Sequence, residues 1–194
     1  RMHNKPMPIG GGLGMYIVIS ILSLYFLKLD RMLVMLLIGS TIIVVSGLID
    51  DKKSLSPKMK LFFQVLAALC LIIGGVKIEF FTNPFEAEQM LELINLLSIP
   101  ITIFWVCGIT NTINLIDGLD GLAAGISMIC AISMFFITRR INHIAVTFIC
   151  VLVAGACLGF LPYNFNPAKI FMGDTGALYL GFMLSFITIQ GVMK

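Results

Sequence analysis

Long apolar runs separated by short polar loops constrain the fold of this chain more than any other feature of its sequence. A helix of about 20 mainly apolar residues crosses the hydrocarbon layer of a bilayer. The chain is 59% hydrophobic and only 12% charged, which is too apolar for a water-soluble protein with a polar shell. We therefore predict an all-α polytopic membrane protein. The seven predicted spans are 13–29, 32–48, 59–76, 99–113, 122–138, 144–161 and 177–193.

The charges and cysteines exclude several classes of function. The net charge is only +3, and the lysines and arginines are scattered along the flanks of the apolar runs, so we expect no nucleic-acid partner. The five cysteines lie within or at the end of apolar segments and form no CxxC pair, so we interpret them as small hydrophobic residues. The chain begins with a polar run that lacks a leading methionine. We expect a single membrane-embedded domain over residues 1–194, with a segment missing upstream.

The densest polar stretch inside the apolar sequence is NTINLIDGLDG, residues 111–121. Its two amides and two carboxylates recur every third residue, so a helix would place them on one face. An aspartate at the centre of a spanning helix costs about 2.5–3.5 kcal/mol on insertion scales. We therefore expect these groups at a helix end that faces a water-filled cleft. They are Asn111, Asn114, Asp117 and Asp120.

Three further loops combine polar groups in unusual patterns. Residues 1–12 form a basic loop that closes on three glycines, residues 47–60 join two adjacent aspartates to four lysines, and residues 162–176 combine amides, aromatics and an aspartate. In the second loop, Ser56 and Pro57 predict a helix start. In the third loop, Asp174 or Thr175 is placed to cap the last helix. Taken singly, the first two loops are better explained as solvated connections between spans.

The side of the membrane on which each loop lies follows from the order of the spans. Because seven crossings alternate sides, the four motif loops all fall on one side, and the remaining loops, 28–31, 77–97 and 139–143, fall on the other. Seven lysines and arginines lie on the motif side and six lie opposite. This small excess favours a cytosolic motif side. The motif loops are 1–12, 49–58, 111–121 and 162–176.

Carboxylates, amides and lysines that converge on one side suit a metal-bound polyphosphate. Magnesium prefers one or two oxygen ligands from the protein, together with phosphate oxygens and water. Asp174, with Asn114 or Asp117, could supply those ligands. Phe171 or Tyr163 could stack on a nucleotide base. The lysines that could hold phosphate charge are Lys52, Lys53, Lys58 and Lys60.

The same motifs resemble a known family. An H-x-x-P-x-P-x-GG type loop, DD followed by SPKMKLFFQ, then NTINLIDGLDGLAAG and NPAKIFMGDTG, are similar to the polyprenyl-phosphate N-acetylhexosamine-1-phosphate transferases of glycosyltransferase family 4. The resemblance extends from His3 to Gly176. It is closer to the branch that starts teichoic acid, enterobacterial common antigen and O-antigen (lipopolysaccharide) synthesis than to the related muramoyl-pentapeptide branch.

The resemblance implies an activity and its participants. The donor would be UDP-N-acetylglucosamine and the acceptor undecaprenyl phosphate, with UMP released on the cytosolic side of a bacterial cell membrane. The cofactor would be Mg²⁺, with Mn²⁺ as the alternative ion. Members of the family carry a helix before the His3 loop, and a histidine-rich loop and more helices after the last span here. We therefore expect a chain truncated at both ends, and a homodimer remains open.

The resemblance also implies roles for matching residues. Asp174 would be a magnesium ligand with Asn114 as its partner. Asp50 and Asp51 would lie where the lipid phosphate attacks, so that the catalytic set is Asp50, Asp51 and Asp174. The residues implied for substrate binding are His3, Lys58, Lys60, Asn111, Asp117, Asp120, Asn164 and Phe171.

Other classes of protein remain as alternatives. A transporter also places aspartates inside the membrane, at broken helices near the midplane, but it has no need of lysines and aspartates gathered on one side. A non-catalytic scaffold with the same fold, and a phospho-N-acetylmuramoyl-pentapeptide transferase, are further alternatives. CDP-alcohol enzymes expect DGxxAR, whereas this chain continues from Asp117 and Gly118 with Leu-Asp-Gly-Leu.

Overall fold

The computed structural model describes residues 8–82, 90–92 and 95–192. Within these residues the chain forms seven helices and one short hairpin, so the predicted number of helices is confirmed. The hairpin pairs two three-residue strands in the loop between the third and fourth helices. The elements are α1 Gly11–Phe26, α2 Arg31–Lys52, α3 Pro57–Ile73, β1 Phe80–Thr82, β2 Met90–Glu92, α4 Asn95–Ile116, α5 Leu122–Arg140, α6 Ile144–Asn164 and α7 Gly173–Val192.

Four stretches are helical, long and apolar enough to cross a membrane. They are Arg31–Lys52, Leu97–Ile116, Leu122–Arg140 and Ile144–Asn164, and α1 is a shorter apolar helix. The protein is therefore a multi-pass helical membrane protein.

Helix starts follow local signals in the sequence. The side chain of Asp30 accepts a hydrogen bond from the backbone N–H of Leu33 at 2.8 Å and so caps α2. Ser56 caps α3 in the same way, with Pro57 in the first turn, as the sequence predicts. Both caps satisfy N–H groups that have no partner inside their own helix.

Helix α7 forms the centre of the bundle. Every residue from 175 to 187 is buried, and the helix contacts α1, α2, α4, α5 and α6. Glycines allow the closest approaches at its start. A Cβ atom added at Gly12 would lie 2.2 Å from the backbone nitrogen of Gly176, and one added at Gly47 would lie 2.4 Å from the Cα atom of Thr175. Larger residues at either glycine would force the helices apart.

The segments that lead into α1 and α7 lie side by side. Ile9 and Phe171 form a parallel bridge. The N–H of Phe171 donates to the carbonyl of Pro8 at 3.1 Å, and the N–H of Gly12 donates to the carbonyl of Met172 at 3.1 Å. The end of the first motif loop is therefore attached to the loop that carries Asp174.

Candidate active site

Lys60 joins two carboxylates from different helices. Its Nζ lies 2.9 Å from Oδ2 of Asp174, at the start of α7, and also forms an ion pair with Oδ2 of Asp50, near the end of α2. The side chain of Asp50 is 2% exposed, whereas that of Asp174 is 37% exposed. The cluster therefore has a buried carboxylate beneath an ammonium group, and a second carboxylate open to ligands.

Asn114 completes this cluster from the last turns of α4. Its Nδ2 donates to Oδ1 of Asp174 at 2.9 Å. The two oxygens of Asp174 thus contact an amide on one side and an ammonium group on the other. The two side chains that the sequence implies as joint metal ligands therefore lie in contact, although 60 positions separate them, and their role as metal ligands stays a prediction.

Asn114 and Asp174 offer side-chain oxygens of the kind that Mg²⁺ prefers, one from an amide and one from a carboxylate. Their side chains lie in direct contact, so both could reach one ion. Within the described residues, no group of three or more His, Cys, Asp or Glu side chains could hold a metal ion. Two protein ligands completed by phosphate and water are the arrangement that Mg²⁺ prefers.

Asp51 contacts the backbone at the start of α7. Its Oδ1 accepts from the N–H of Asp174 at 2.8 Å, and its Oδ2 accepts from the N–H of Thr175 at 3.3 Å and from the hydroxyl of Thr175 at 2.6 Å. The prediction that Asp174 or Thr175 caps α7 is therefore wrong. The left-handed turn at Gly173, with φ of +71°, directs the first N–H groups of α7 towards α2 instead.

Only the first half of the stretch 111–121 is helical. Helix α4 ends at Ile116, and Gly121 adopts φ of +75° before α5 begins. The four polar groups therefore do not share one helical face, because Asp117 and Asp120 lie in the turn beyond α4. Burial, followed by the charges of Asp174 and Asp51, raises the pKa of Asp117 to about 7.

Two side chains attach this turn to the loop before α7. The amide of Asn164 is buried, accepts from the N–H of Gly121 at 3.1 Å and donates to the carbonyl of Ile170 at 3.0 Å. Oδ2 of Asp120 accepts from the N–H of Ala168 at 3.0 Å. Both residues shape the loops. Their implied contact with a uridine stays a prediction.

Sequence reasoning missed Gln64 as a partner of Asn111. The two side-chain amides donate to one another, at 3.1 and 2.8 Å, and Gln64 is buried within α3. Gln64 follows Lys60 by four positions, which places both side chains on one face of the helix. A lone glutamine in an apolar helix, spaced in this way from a lysine, is the signal that could have found it.

The other predicted residues lie at or beyond the edge of the cluster. Lys58 is exposed and, two positions from Lys60, faces another direction from α3. Phe171 is partly buried and lies in the bridge to Ile9. His3 lies outside the described residues. The described parts of the four motif loops, which for the first loop are residues 8–12, nevertheless lie at one end of the bundle.

A helical membrane bundle with a carboxylate, lysine and amide cluster at one end is the class of protein that these observations define. Residues 33–192 match the family described as glycosyl transferase family 4. That match covers most of the chain, so the protein belongs to this family.

Several relatives are similar over nearly the whole chain. A probable undecaprenyl-phosphate N-acetylglucosaminyl 1-phosphate transferase of Bacillus subtilis is 41% identical over 100% of this chain and 54% of its own length. A decaprenyl-phosphate N-acetylglucosaminephosphotransferase of Mycolicibacterium smegmatis is 35% identical over 94% of this chain and 49% of its own length. A phospho-N-acetylmuramoyl-pentapeptide-transferase of Staphylococcus haemolyticus is 34% identical over 98% and 64%. The chain thus spans about half to two thirds of these relatives.

Proposed function

We propose that the protein transfers N-acetylglucosamine-1-phosphate from UDP-N-acetylglucosamine to undecaprenyl phosphate and releases UMP. This step would initiate the synthesis of a cell-wall or surface polysaccharide, such as teichoic acid or lipopolysaccharide. The observation that carries the proposal is the position of Lys60 between Asp50 and Asp174, with Asn114 on the far side of Asp174. The relative from Bacillus subtilis, whose name states this activity, supports the choice of donor and acceptor.

The reaction exchanges one phosphoanhydride bond for another. An oxygen of the lipid phosphate attacks the sugar-side phosphorus of the donor, the bond between that phosphorus and the bridging oxygen breaks, and UMP leaves with the electron pair. A phosphate monoester has a second pKa of about 6, so the acceptor is mostly dianionic at pH 7. The protein therefore needs to position the acceptor more than to deprotonate it. We assign this to Asp50, which would orient the acceptor or accept its last proton; because its side chain is buried beneath Lys60, this requires the ammonium to move aside.

The other members of the cluster would neutralise the negative charge on the diphosphate of the donor. The ammonium of Lys60, 25% exposed, is placed to contact the diphosphate of the donor. Asn114 and Asp174 would hold Mg²⁺, or Mn²⁺ as the alternative ion, which when bound neutralises charge on that diphosphate. Asp117, Asp120 and Phe171 belong to the loops that we assign to the uridine.

The geometry of the chain supports a role for the first motif loop and a direction in the membrane. Because the end of that loop is attached to Phe171, we propose that His3 and the exposed Lys58 approach the donor from the rim of the cluster. We further propose that all seven helices cross the membrane, with the cluster on the cytosolic side.

UMP release tests the proposed function. The intact gene product is purified in detergent and supplied with undecaprenyl phosphate, Mg²⁺ and a panel of UDP-sugars that includes UDP-N-acetylglucosamine and UDP-N-acetylmuramoyl-pentapeptide. We expect UMP only with UDP-N-acetylglucosamine, and none after Asp174→Asn. The matched control is Asp30→Asn, at the other end of the bundle, which should keep its activity.

The panel also separates the alternatives. Release of UMP from the muramoyl-pentapeptide donor would assign the protein to that activity, which the Staphylococcus haemolyticus relative carries in its name. No UMP from any donor would rule out the enzymatic proposal and leave a transporter or scaffold.

A further inference from the structure

We propose that Asp51 is a positioning residue, which caps α7 from α2 and thereby fixes the carboxylate of Asp174 without touching either substrate. The proposal rests on the proposed function, in which Asp174 holds the metal ion. Three donors of α7 already occupy the two oxygens of Asp51: the N–H of Asp174, the N–H of Thr175 and the hydroxyl of Thr175. A carboxylate at this position also satisfies the positive end of the helix dipole.

Close packing at two glycines builds this contact. A Cβ atom at Gly173 would lie 2.6 Å from Oδ2 of Asp51, so no side chain fits between the carboxylate and the turn. Gly47 precedes Asp51 by one helical turn and brings the backbone of α2 against Thr175. The reach of Asp51 to α7 is therefore a property of how the two helices pack.

The neighbouring aspartate has different contacts. Successive residues of a helix point about 100° apart, and Asp50 accordingly pairs with Lys60 and accepts from the N–H of Leu55 at 2.6 Å. Asp50 thus belongs to the charged cluster, whereas Asp51 belongs to the backbone of α7. We therefore assign Asp50 to the reaction and Asp51 to the positioning of α7.

Asp51 supplies a constraint that the other contacts of Asp174 lack. Lys60 and Asn114 each hold one side-chain oxygen of Asp174, and Asp51 holds its backbone nitrogen. Without Asp51 the first turn of α7 loses its cap, and the carboxylate moves with it. Removing a group that orients a metal ligand commonly lowers metal affinity or activity about 10–100-fold.

Binding of Mn²⁺, followed by electron paramagnetic resonance on the intact gene product in nanodiscs, tests the proposal without the sugar-nucleotide donor or the polyprenyl-phosphate acceptor. We expect Asp51→Asn to bind Mn²⁺ about 10–100-fold more weakly. Hydrogen exchange should also become faster at the first amides of α7. The pH profile of UMP release should keep its shape, because Asp51 exchanges no proton during the reaction.

Thr175→Val gives an independent measurement, because it removes only the hydroxyl donor and keeps the volume of the side chain. We expect a smaller loss of Mn²⁺ affinity than for Asp51→Asn. If both residues act through the same turn, the double variant loses less than the product of the two single fold-changes. If Asp51→Asn fails to fold, the proposal is tested with Thr175→Val alone, which should bind Mn²⁺ more weakly and exchange the first amides of α7 faster than the wild type.

Asp30→Asn is the matched control, because Asp30 also caps a helix but lies at the other end of the bundle. It should leave Mn²⁺ affinity unchanged, and amide exchange at the start of α2 should change little because asparagine caps a helix about as well as aspartate. Three results would overturn the proposal. The first is unchanged Mn²⁺ affinity in Asp51→Asn and Thr175→Val, and the second is a loss of affinity in the double variant equal to the product of the two single losses. The third is a wild type that binds no Mn²⁺. A wild type that binds Mn²⁺ with coupled losses but releases no UMP would instead overturn the proposed function alone.

Discussion

The ammonium of Lys60 lies 2.9 Å from Oδ2 of Asp174, across 114 positions of sequence, and at the same time pairs with the buried Asp50. One cation therefore links the ends of three helices, α2, α3 and α7. The same group is the one that we propose contacts the donor diphosphate.

Replacement of this lysine should lower both stability and activity. Lys60→Met leaves the carboxylate of Asp50 buried without its cation, and removing one partner of a buried pair destabilises a protein by about 3–5 kcal/mol. We expect a loss of that order in chemical unfolding, with loss of UMP release. Lys58→Met, on an exposed neighbour, should change stability by about 0.5 kcal/mol or less. Equal effects of the two substitutions would contradict the pairing.

The role of Asp50 is tested by a pH–rate profile. If Asp50 takes the last proton of the acceptor, the loss of activity in Asp50→Asn should be largest below about pH 6 and should shrink as the lipid phosphate ionises. If Asp50 orients the acceptor, the loss should be the same at every pH. Asp174→Asn serves as the comparison and should stay inactive at every pH. Full activity of Asp50→Asn across the whole pH range would contradict both roles.

The close approach of α2 to α7 predicts the effect of one added methyl group. Gly47→Ala places a Cβ atom 2.4 Å from the Cα atom of Thr175, so the helices must separate. Overpacking of this kind costs about 1–3 kcal/mol, and we expect this loss in thermal or chemical unfolding together with reduced Mn²⁺ affinity. The control is Gly14→Ala on α1, where a Cβ atom meets nothing within 4 Å. There, helix propensity should raise stability by about 0.5–1 kcal/mol.

The pKa of Asp117 makes stability depend on pH. Because burial and nearby charge raise this pKa from 3.8 to about 7, the folded state binds more protons than the unfolded state between these values. Stability should therefore fall as pH rises through this window, with the full penalty present above pH 7. In metal-free protein, Asp117→Asn should unfold at a higher temperature than wild type at pH 8. The difference should shrink steadily towards pH 4, and a constant difference would contradict the assignment.

The direction of the chain in the membrane can be read by cysteine labelling. In a variant without native cysteines, Lys53→Cys at the end of α2 and Arg140→Cys at the end of α5 lie at exposed positions. We expect a membrane-impermeant maleimide to reach Lys53→Cys only from the cytosolic face and Arg140→Cys only from the opposite face. Labelling of both from one face would contradict the seven-crossing arrangement.

Much of the fold and the membership of the site follow from local patterns. Apolar runs of spanning length predict the seven helices, and their alternating direction predicts that the motif loops lie at one end. Ser56 and Pro57 mark the start of α3, and Gly121 marks the point where the chain changes direction after α4. Such signals depend only on near neighbours, because hydropathy, capping and backbone freedom act within one or two turns.

The pairing of side chains was decided by the tertiary structure. Asp50 and Asp51 are adjacent and chemically identical, yet one meets Lys60 and the other meets the start of α7, 123 to 124 positions away. Asn111 meets Gln64 while Asn114 meets Asp174, although both lie in one motif. These partners depend on which helices pack together and how closely their glycines let them approach. The sequence by itself therefore determined which groups share one end of the bundle, and helix packing determined which of them hold Asp174 in place.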